Sequence, residues 1–182
     1  MKERGIIMQG ESVLGILDGR KSQTRRVIKE RVSTSDHGMG HNPMVLHKGY
    51  WYRPVEWSPY GQPGDRLWVR ETTIIHLEPC DKYPKGVVYY RTEYPDDGDY
   101  TPSIFMPRWA SRIMLEIVSV RVERVQDISK ADCIGEGITG LEDIVAGWHQ
   151  LYAKLWDSIN AKRGYGWDVN PLVWVIEFKV LL

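Results

Sequence analysis

The most regular pattern in the sequence is an alternation of apolar and polar residues over 112–125. The apolar positions recur at every second residue with two shifts of phase, at Ile113, Leu115, Ile117, Val120, Val122 and Val125. A period of two turns one row of side chains toward a core and the other toward solvent. The segment therefore predicts one long bent strand or two strands, and a sheet is expected to organise the core.

Shorter elements flank this segment on both sides. Further strands are predicted just after residue 26 and at 66–72, 87–91 and 172–181, the last nearly all apolar. Helical spacing predicts helices at 8–18 and 141–159. A short helix is predicted at 129–135, with Ser129 able to cap it and Asp132 near its positive end. Short strands with two to three helices predict a mixed α/β (α+β) fold, a small β-barrel with the helices packed outside it. Residues 1–182 then form a single domain, with loop insertions at about 32–58 and 76–104.

The overall charge is balanced, because 24 Lys and Arg stand against 24 Asp and Glu in 182 residues. This balance excludes a protein that binds nucleic acid by bulk charge alone, but it leaves room for a local basic patch. No apolar run approaches the ~18 residues of a membrane span, and the first residues lack a signal-peptide core. A cytoplasmic protein without a membrane partner is therefore expected.

The histidines and cysteines do not suggest a metal site. The five histidines are scattered and the two cysteines form no CxxC pair. His37 and His41 lie four residues apart, but in a Gly-rich loop and without a third ligand at the usual spacing. The standard nucleotide-binding glycine loops are also absent from the sequence. Neither a metal nor another cofactor is expected.

The strongest local signal is a run of cations over 20–31. It holds one acid, Glu30, against six cations, at Arg20, Lys21, Arg25, Arg26, Lys29 and Arg31. Such a run is often a solvated face, but four of the six are arginines, whose planar fork suits phosphate. The candidate contacts to phosphate or nucleic acid are Arg20, Arg25, Arg26, Arg70 and Arg108.

The aromatic composition also favours contact with bases. The chain has eight Trp and ten Tyr but two Phe, and indole and phenol rings combine an apolar face with a polar atom. Trp51, Tyr52 and Trp57 are the base-stacking candidates, whereas Trp68 is expected to pack inside the barrel. For any single ring, filling the core is an equally good explanation.

The same basic segment also permits a chemical interpretation. The Thr24 hydroxyl is a weak nucleophile unless a base takes its proton, and a lysine can do so when neighbouring cations favour its neutral form. Lys21 has such cationic neighbours in the sequence. Glu136 lies between Gly135 and Gly137 at a predicted helix end. It is either a surface residue or an acid that a tight turn holds beside a ligand.

Four motifs resemble those of one known family. Residues 19–26 (GRKSQTRR) resemble the GRKTxTxR signature of the ASCH domain, a member of the PUA-like superfamily. Residues 63–70 resemble its PGD turn and following strand, 127–138 its short helix with a terminal EG, and 173–178 its closing strand. The four occur in the family's order and together span nearly the whole chain. The overall pattern is most similar to the long ASCH proteins of phages and prophages.

The resemblance implies a PUA-like barrel of five or six strands, with a cleft between the barrel and the first helix. Proteins of this superfamily mostly bind RNA or modified nucleobases. Small bacterial ASCH proteins hydrolyse N4-acetylcytidine with a Lys, a Thr and a Glu, which correspond here to Lys21, Thr24 and Glu136. In that mechanism Lys21 activates Thr24, which attacks the acetyl carbonyl, and Glu136 handles protons or orients the amide.

Several functions stay open at this point. One is a module that binds RNA or a nucleoside in a basic cleft without chemistry, and another is an amidohydrolase acting on an N-acylated base. A phage assembly or host-interaction protein is an alternative, as is a metal-independent ribonuclease, for which Lys21 and Glu136 are the obvious acid and base. The oligomeric state has no signature in the sequence.

Overall fold

The computed structural model describes residues 1–33, 43–76, 85–95, 98–139 and 147–181. The strands are β1 (Glu3–Ile7), β2 (Gln23–Val27), β3 (Arg31–Ser33), β4 (Met44–His47), β5 (Tyr50–Tyr52), β6 (Arg66–Arg70), β7 (Thr73–His76), β8 (Val87–Tyr90), β9 (Met114–Arg124) and β10 (Leu172–Leu181). The α-helices in these ranges are α1 (Gly10–Leu17), α2 (Lys130–Gly135) and α3 (Trp148–Asn160). This is a mixed α/β architecture, as predicted.

Five strands form the central sheet, in the order β1-β6-β9-β10-β2. β1 and β6 are parallel, and the other neighbours are antiparallel. The longest pairing joins β9 to β10, from Arg124 opposite Leu172 to Met114 opposite Leu181, with a register shift between Glu177 and Phe178. The alternating segment of the sequence is thus one long strand at the centre of the sheet.

Each face of the sheet has its own core, because neighbouring residues of a strand point to opposite faces. On the first face, Trp174 and Ile176 of β10 pack with Val13 and Ile16 of α1 and with residues of β6 and β9. On the second face lie Val173, Val175, Cys133, Tyr152 and Trp156, the last three from α2 and α3. The sheet therefore separates α1 from α2 and α3.

The prediction of a closed β-barrel is wrong, because the central sheet is open. No backbone ladder joins the edge strands β1 and β2 in the described part of the chain. Instead the Arg26 side chain bridges them, with Nη2 donating to the Ile7 carbonyl oxygen at 2.5 Å. Helix α1 connects β1 to the turn before β2 and packs Val13 and Ile16 into the first core. The space between the edges is thus filled by side chains and not by strand pairing.

The region predicted as a loop insertion at 32–58 contains paired strands. β3, β4 and β5 form an antiparallel three-stranded sheet. Lys48 and Gly49 connect β4 to β5 with positive φ angles of 49° and 86°, the geometry of a tight two-residue hairpin. Within 76–104, β8 pairs with β7, which begins before the predicted insertion. The two segments are thus hairpin structures added to the central sheet.

Other predicted elements agree with the structure where it describes them. The first helix is α1, the short helix is α2 with Ser129 as its N-cap, and the predicted last strand is β10, which lies between β9 and β2. The helix predicted at 141–159 is found as α3, while 140–146 lie outside the described residues, as do His37 and His41. Among the described residues, no helix is long and apolar enough to cross a bilayer, and no three His, Cys, Asp or Glu residues form a group suited to a metal.

Candidate functional site

Lys21 and Glu136 form a buried ion pair where the turn before β2 meets the end of α2. Lys21 Nζ donates to Glu136 Oε2 at 2.6 Å and to the Glu136 carbonyl oxygen at 2.8 Å. The two side chains are 4% and 6% exposed. A lysine and a glutamate are seldom buried this deeply, and then almost always as a pair. The structure thus brings together two of the three predicted catalytic residues.

Backbone contacts explain why these two motifs meet. Lys21 and Glu136 form an antiparallel bridge, and the Ser22 N–H donates to the Gly135 carbonyl at 2.8 Å. Gly137 has a φ of +88°, and a Cβ added there would lie 3.2 Å from the Lys21 Cβ. A side chain at 137 would therefore be strained and crowded. The glycine after Glu136 lets the helix end approach the lysine.

Arg25 lies beside this pair with a fully buried side chain. Its Nη2 is 3.1 Å from Glu123 Oε2 and 3.3 Å from Asp132 Oδ2, and its Nη1 is 3.5 Å from Glu136 Oε1. Arg25 and Lys21 thus share Glu136. The sequence placed Arg25 among the phosphate contacts, and in the structure its charge is balanced inside the protein by three carboxylates.

The cluster extends across the second face of the sheet. Arg121 bonds Asp132 at 3.0 Å and also contacts Glu123 and Glu177. Burial acts to raise the pKa of Asp132, but hydrogen bonds from Ser129 and the charge of Arg25 lower it to about 2. Burial, with the nearby negative charge of Glu136, holds the pKa of Tyr152 well above its usual range. Asp132 is therefore charged and Tyr152 protonated near neutral pH.

Four buried polar atoms of this cluster have no hydrogen-bond partner among the described residues. They are Gln23 Nε2, Arg25 Nε, Arg25 Nη1 and Glu136 Oε1. An unsatisfied buried donor or acceptor costs about 1–3 kcal/mol. Arg25 Nη1 and Glu136 Oε1 lie 3.5 Å from each other, and Gln23 lies beside Asp132, so a further polar group would bond these atoms by replacing such contacts.

Thr24, the third predicted catalytic residue, is buried on the same strand but lies on its other face. Thr24 is paired with Ile176, which belongs to the first core, whereas Arg25 is paired with Val175 of the second core. In the described part of the chain no hydrogen bond joins Thr24 to Lys21. The lysine amine bonds Glu136 instead.

The other predicted phosphate contacts are spread over the molecule. Arg20 is exposed, pairs with Asp18 at 2.7 Å and donates to the Gly137 carbonyl at 3.3 Å. Arg26 bridges the sheet edges, and burial lowers its pKa. Arg70 packs over the Trp68 ring at 5.2 Å, and Arg108 bonds a glutamate of β1 at 3.0 Å. Of these, only Arg20 borders the Lys21–Glu136 pair.

The predicted base-stacking residues lie in and after the three-stranded sheet. Trp51 and Tyr52 belong to β5. Trp57 stacks on His47 with ring centroids 4.0 Å apart and packs against the first core, where it meets Trp174 edge-on at 6.1 Å. Trp57 thus has a structural role in addition to any contact with a base.

Sequence reasoning missed Glu123, Asp132 and Tyr152 as parts of the cluster. Alternation in β9 was a usable signal for Glu123, because it places this residue opposite Val173, on the second face. Asp132 was recognised from its position near the start of a helix, and it does accept from the Ser129 N–H at 3.1 Å. Tyr152 carried no local signal, since its place depends on how α3 packs.

No family model matches the chain, and no curated protein shows significant similarity to it. Among solved structures, the ASCH domain from Lactobacillus crispatus JV V101 is similar with 15% identity and a TM-score of 0.47, covering 98% of this chain and 79% of that one. A DUF984 protein from Enterococcus faecalis V583 is similar with 13% identity and a TM-score of 0.45, covering 100% and 76%. An ASCH domain is therefore among the solved structures to which this chain is similar.

Proposed function

We propose that this chain is an ASCH-type module that binds a nucleobase-containing ligand, an RNA nucleotide or a modified nucleoside, at the Lys21–Glu136 site. One observation carries the proposal. A buried ion pair at the meeting point of two ASCH-like motifs lies beside buried polar atoms that make no hydrogen bond among the described residues, two of them in contact with each other at 3.5 Å. The base-pairing edge of a nucleobase presents donors and acceptors side by side, which suits this mixed set.

The charges of the site favour a base over a phosphate. Arg25 and Lys21 are already matched by Glu123, Asp132 and Glu136. A phosphate would add negative charge next to these buried carboxylates, which costs free energy at low dielectric. A neutral base edge adds hydrogen bonds without a net charge.

A thermal-shift series tests this proposal. A ligand that binds only the native state stabilises it, by about 2.7 kcal/mol at a concentration of 100 times Kd. We expect cytidine or N4-acetylcytidine to raise Tm and ribose 5-phosphate to leave it unchanged. Glu136→Gln is expected to remove the shift, whereas the control Glu56→Gln, at an exposed ion pair, keeps it. A shift with ribose 5-phosphate alone, or an undiminished shift in Glu136→Gln, would refute the assignment.

A second candidate function is hydrolysis of an N-acylated base such as N4-acetylcytidine. It is favoured by the 2.6 Å contact between Lys21 and Glu136, a buried acid–base pair three positions from Thr24 in the sequence, while the Thr24 side chain lies on the other face of β2. In the proposed reaction the Lys21 amine takes the Thr24 proton, and Thr24 Oγ1 bonds the acyl carbon. The carbon–N4 bond breaks, N4 receives the proton, and water then releases acetate from the threonine ester.

This reaction requires Lys21 Nζ to leave the Glu136 carboxylate and approach Thr24. Substrate can bring this about by occupying Glu136 with its own amide N–H. Glu136 then orients the amide, as the family resemblance implies. Binding and hydrolysis thus share one site, but they are separable, since binding uses Glu136 and Arg25 and hydrolysis additionally needs Thr24.

A further inference from the structure

The outer face of β6 carries a row of cations around a tryptophan. Leu67 and Val69 point into the first core, so Arg66, Trp68 and Arg70 lie on the opposite face. No residue of β1 or β6 belongs to the second core. Trp68 was expected inside the barrel, but it lies half-buried on this outer face.

Trp68 and Arg70 are held against the surface by a glycine. Gly5 is paired with Trp68, and a Cβ added at Gly5 would lie 2.8 Å from the Trp68 ring and 2.9 Å from Arg70 Cδ. Glycine therefore allows the indole to pack down on β1. The Arg70 guanidinium is 5.2 Å from the ring centroid, a cation–π arrangement.

Arg66 and Arg108 share a single carboxylate. Arg108 Nε donates to Glu3 Oε2 at 3.0 Å, and Arg66 Nη1 is 3.9 Å from Glu3 Oε1. Arg66 Nε is buried without a hydrogen-bond partner among the described residues. Arg66, Arg70 and Arg108 against Glu3 leave an excess of positive charge and several unused guanidinium donors, which suit phosphate oxygens.

A groove of about 480 Å³ runs beside these residues, lined by Arg66, Arg108 and Arg112 and by Met114 and Leu181. Its Leu181 belongs to β10, the strand that also contacts the turn before β2. The Phe178 N–H donates to the Ser22 carbonyl, and Leu181 lies three residues further along the strand, about 10 Å at the rise of a β-strand. One short strand of nucleotides can span this distance.

We propose that the surface formed by Arg66, Trp68, Arg70 and Arg108, here called the β6 surface, binds single-stranded nucleic acid. The arginines contact phosphates, and Arg70 moves from the Trp68 ring to a phosphate, so that the freed face of the indole stacks a base. This inference rests on the proposed function and deepens it: the nucleobase in the Lys21–Glu136 site belongs to a strand, and the β6 surface holds its flanking nucleotides.

Fluorescence anisotropy with a labelled single-stranded RNA of about 12 nucleotides tests the proposal, at low salt and then with added salt. The double variant Arg66→Gln/Arg108→Gln is expected to weaken RNA binding about tenfold or more. The slope of log Kd against log salt concentration is expected to fall by about 1.4, because each lost phosphate contact contributes about 0.7. Trp68→Leu weakens binding about tenfold, the loss of one stacked base, with an unchanged slope. The control Lys154→Gln/Lys162→Gln removes the same charge from exposed positions on and after α3 and keeps the wild-type affinity.

Several results would overturn the proposal. Equal RNA affinity in the arginine double variant and the wild type would do so, as would an absence of RNA binding at low salt. Tighter binding of a duplex than of the single strand would contradict the single-strand assignment. Thermal unfolding of each variant verifies its fold. If nucleosides raise the Tm but the protein binds no RNA, the β6 surface proposal is wrong and the proposed function of the Lys21–Glu136 site is unaffected. A protein that binds RNA through the arginines but gives no nucleoside shift refutes the proposed function of the Lys21–Glu136 site alone.

Discussion

Replacing Arg25 with methionine is expected to lower the free energy of unfolding at pH 7 by about 3–5 kcal/mol. The side chain is fully buried, and the substitution leaves Glu123, Asp132 and Glu136 without their shared cation. Methionine fills much of the volume, so the loss comes from carboxylates that keep one cation each, Arg121 or Lys21, where the wild type supplies two among the described residues, and not from a cavity. Chemical denaturation of the wild type and the variant measures it.

The pH dependence of this loss has a definite sign. Asp132 has a pKa of about 2 in the folded protein, below its ordinary value. Its contribution to stability is therefore complete at a pH above the ordinary pKa. It is lost as the pH falls through about 2. Without Arg25 that pKa rises toward its ordinary value. The difference between wild type and variant is therefore largest above about pH 4 and shrinks below it.

The matched control for Arg25 is Arg53→Met. Arg53 pairs with Glu56, but both side chains are largely exposed, so water replaces the lost contact and stability changes far less. A loss of less than about 1 kcal/mol in Arg25→Met at pH 7, or a loss that grows as pH falls, would contradict the view that Arg25 compensates three carboxylates.

Lys21→Met is expected to lower the rate of cytidine release from N4-acetylcytidine by about 10²–10⁴-fold, the usual contribution of a general base. Chromatographic separation of cytidine from its acetylated form measures the rate. Thr24→Val lowers it as strongly by removing the nucleophile, and Thr24→Ser retains part of it. Lys154→Met, at an exposed position on α3, is the control and keeps the wild-type rate.

Full activity in Lys21→Met would exclude Lys21 as the base. If the wild-type protein releases no cytidine at all, the hydrolysis candidate is wrong. The binding proposal is then judged by its own measurement, because it depends on Glu136 and Arg25 and not on the Thr24 hydroxyl.

The sequence predicted those features that depend on local patterns. Alternation identified β9, a nearly all-apolar run identified β10, helical spacing identified α1, and the Ser129 cap marked the start of α2. The motifs around Lys21 and Glu136 indicated two residues that meet in the structure, although they lie 115 positions apart in the chain. Such motifs carry information about contacts that composition and period do not.

The features that sequence reasoning missed depend on tertiary packing. β1 has five residues and pairs with β6, sixty residues away, so nothing local marked it as a strand. Closure of the sheet was expected from strand content, but the path of α1 keeps β1 and β2 apart. Trp68 was expected inside the barrel, but it follows the inward-facing Leu67 and therefore lies on the outer face of the sheet. Gly5 leaves room for the indole to pack on β1 there.

The most direct test of the Lys21–Glu136 site is a crystal structure of the protein with N4-acetylcytidine. The base-pairing edge is expected within hydrogen-bond distance of Glu136 Oε1 and Arg25 Nη1, which lie 3.5 Å apart in the free protein and make no hydrogen bond within the described part of the chain. A nucleoside bound elsewhere, with the Lys21–Glu136 contact and these atoms unchanged, would contradict the central claim. A crystal structure obtained with excess nucleoside that shows no bound ligand would contradict it as well.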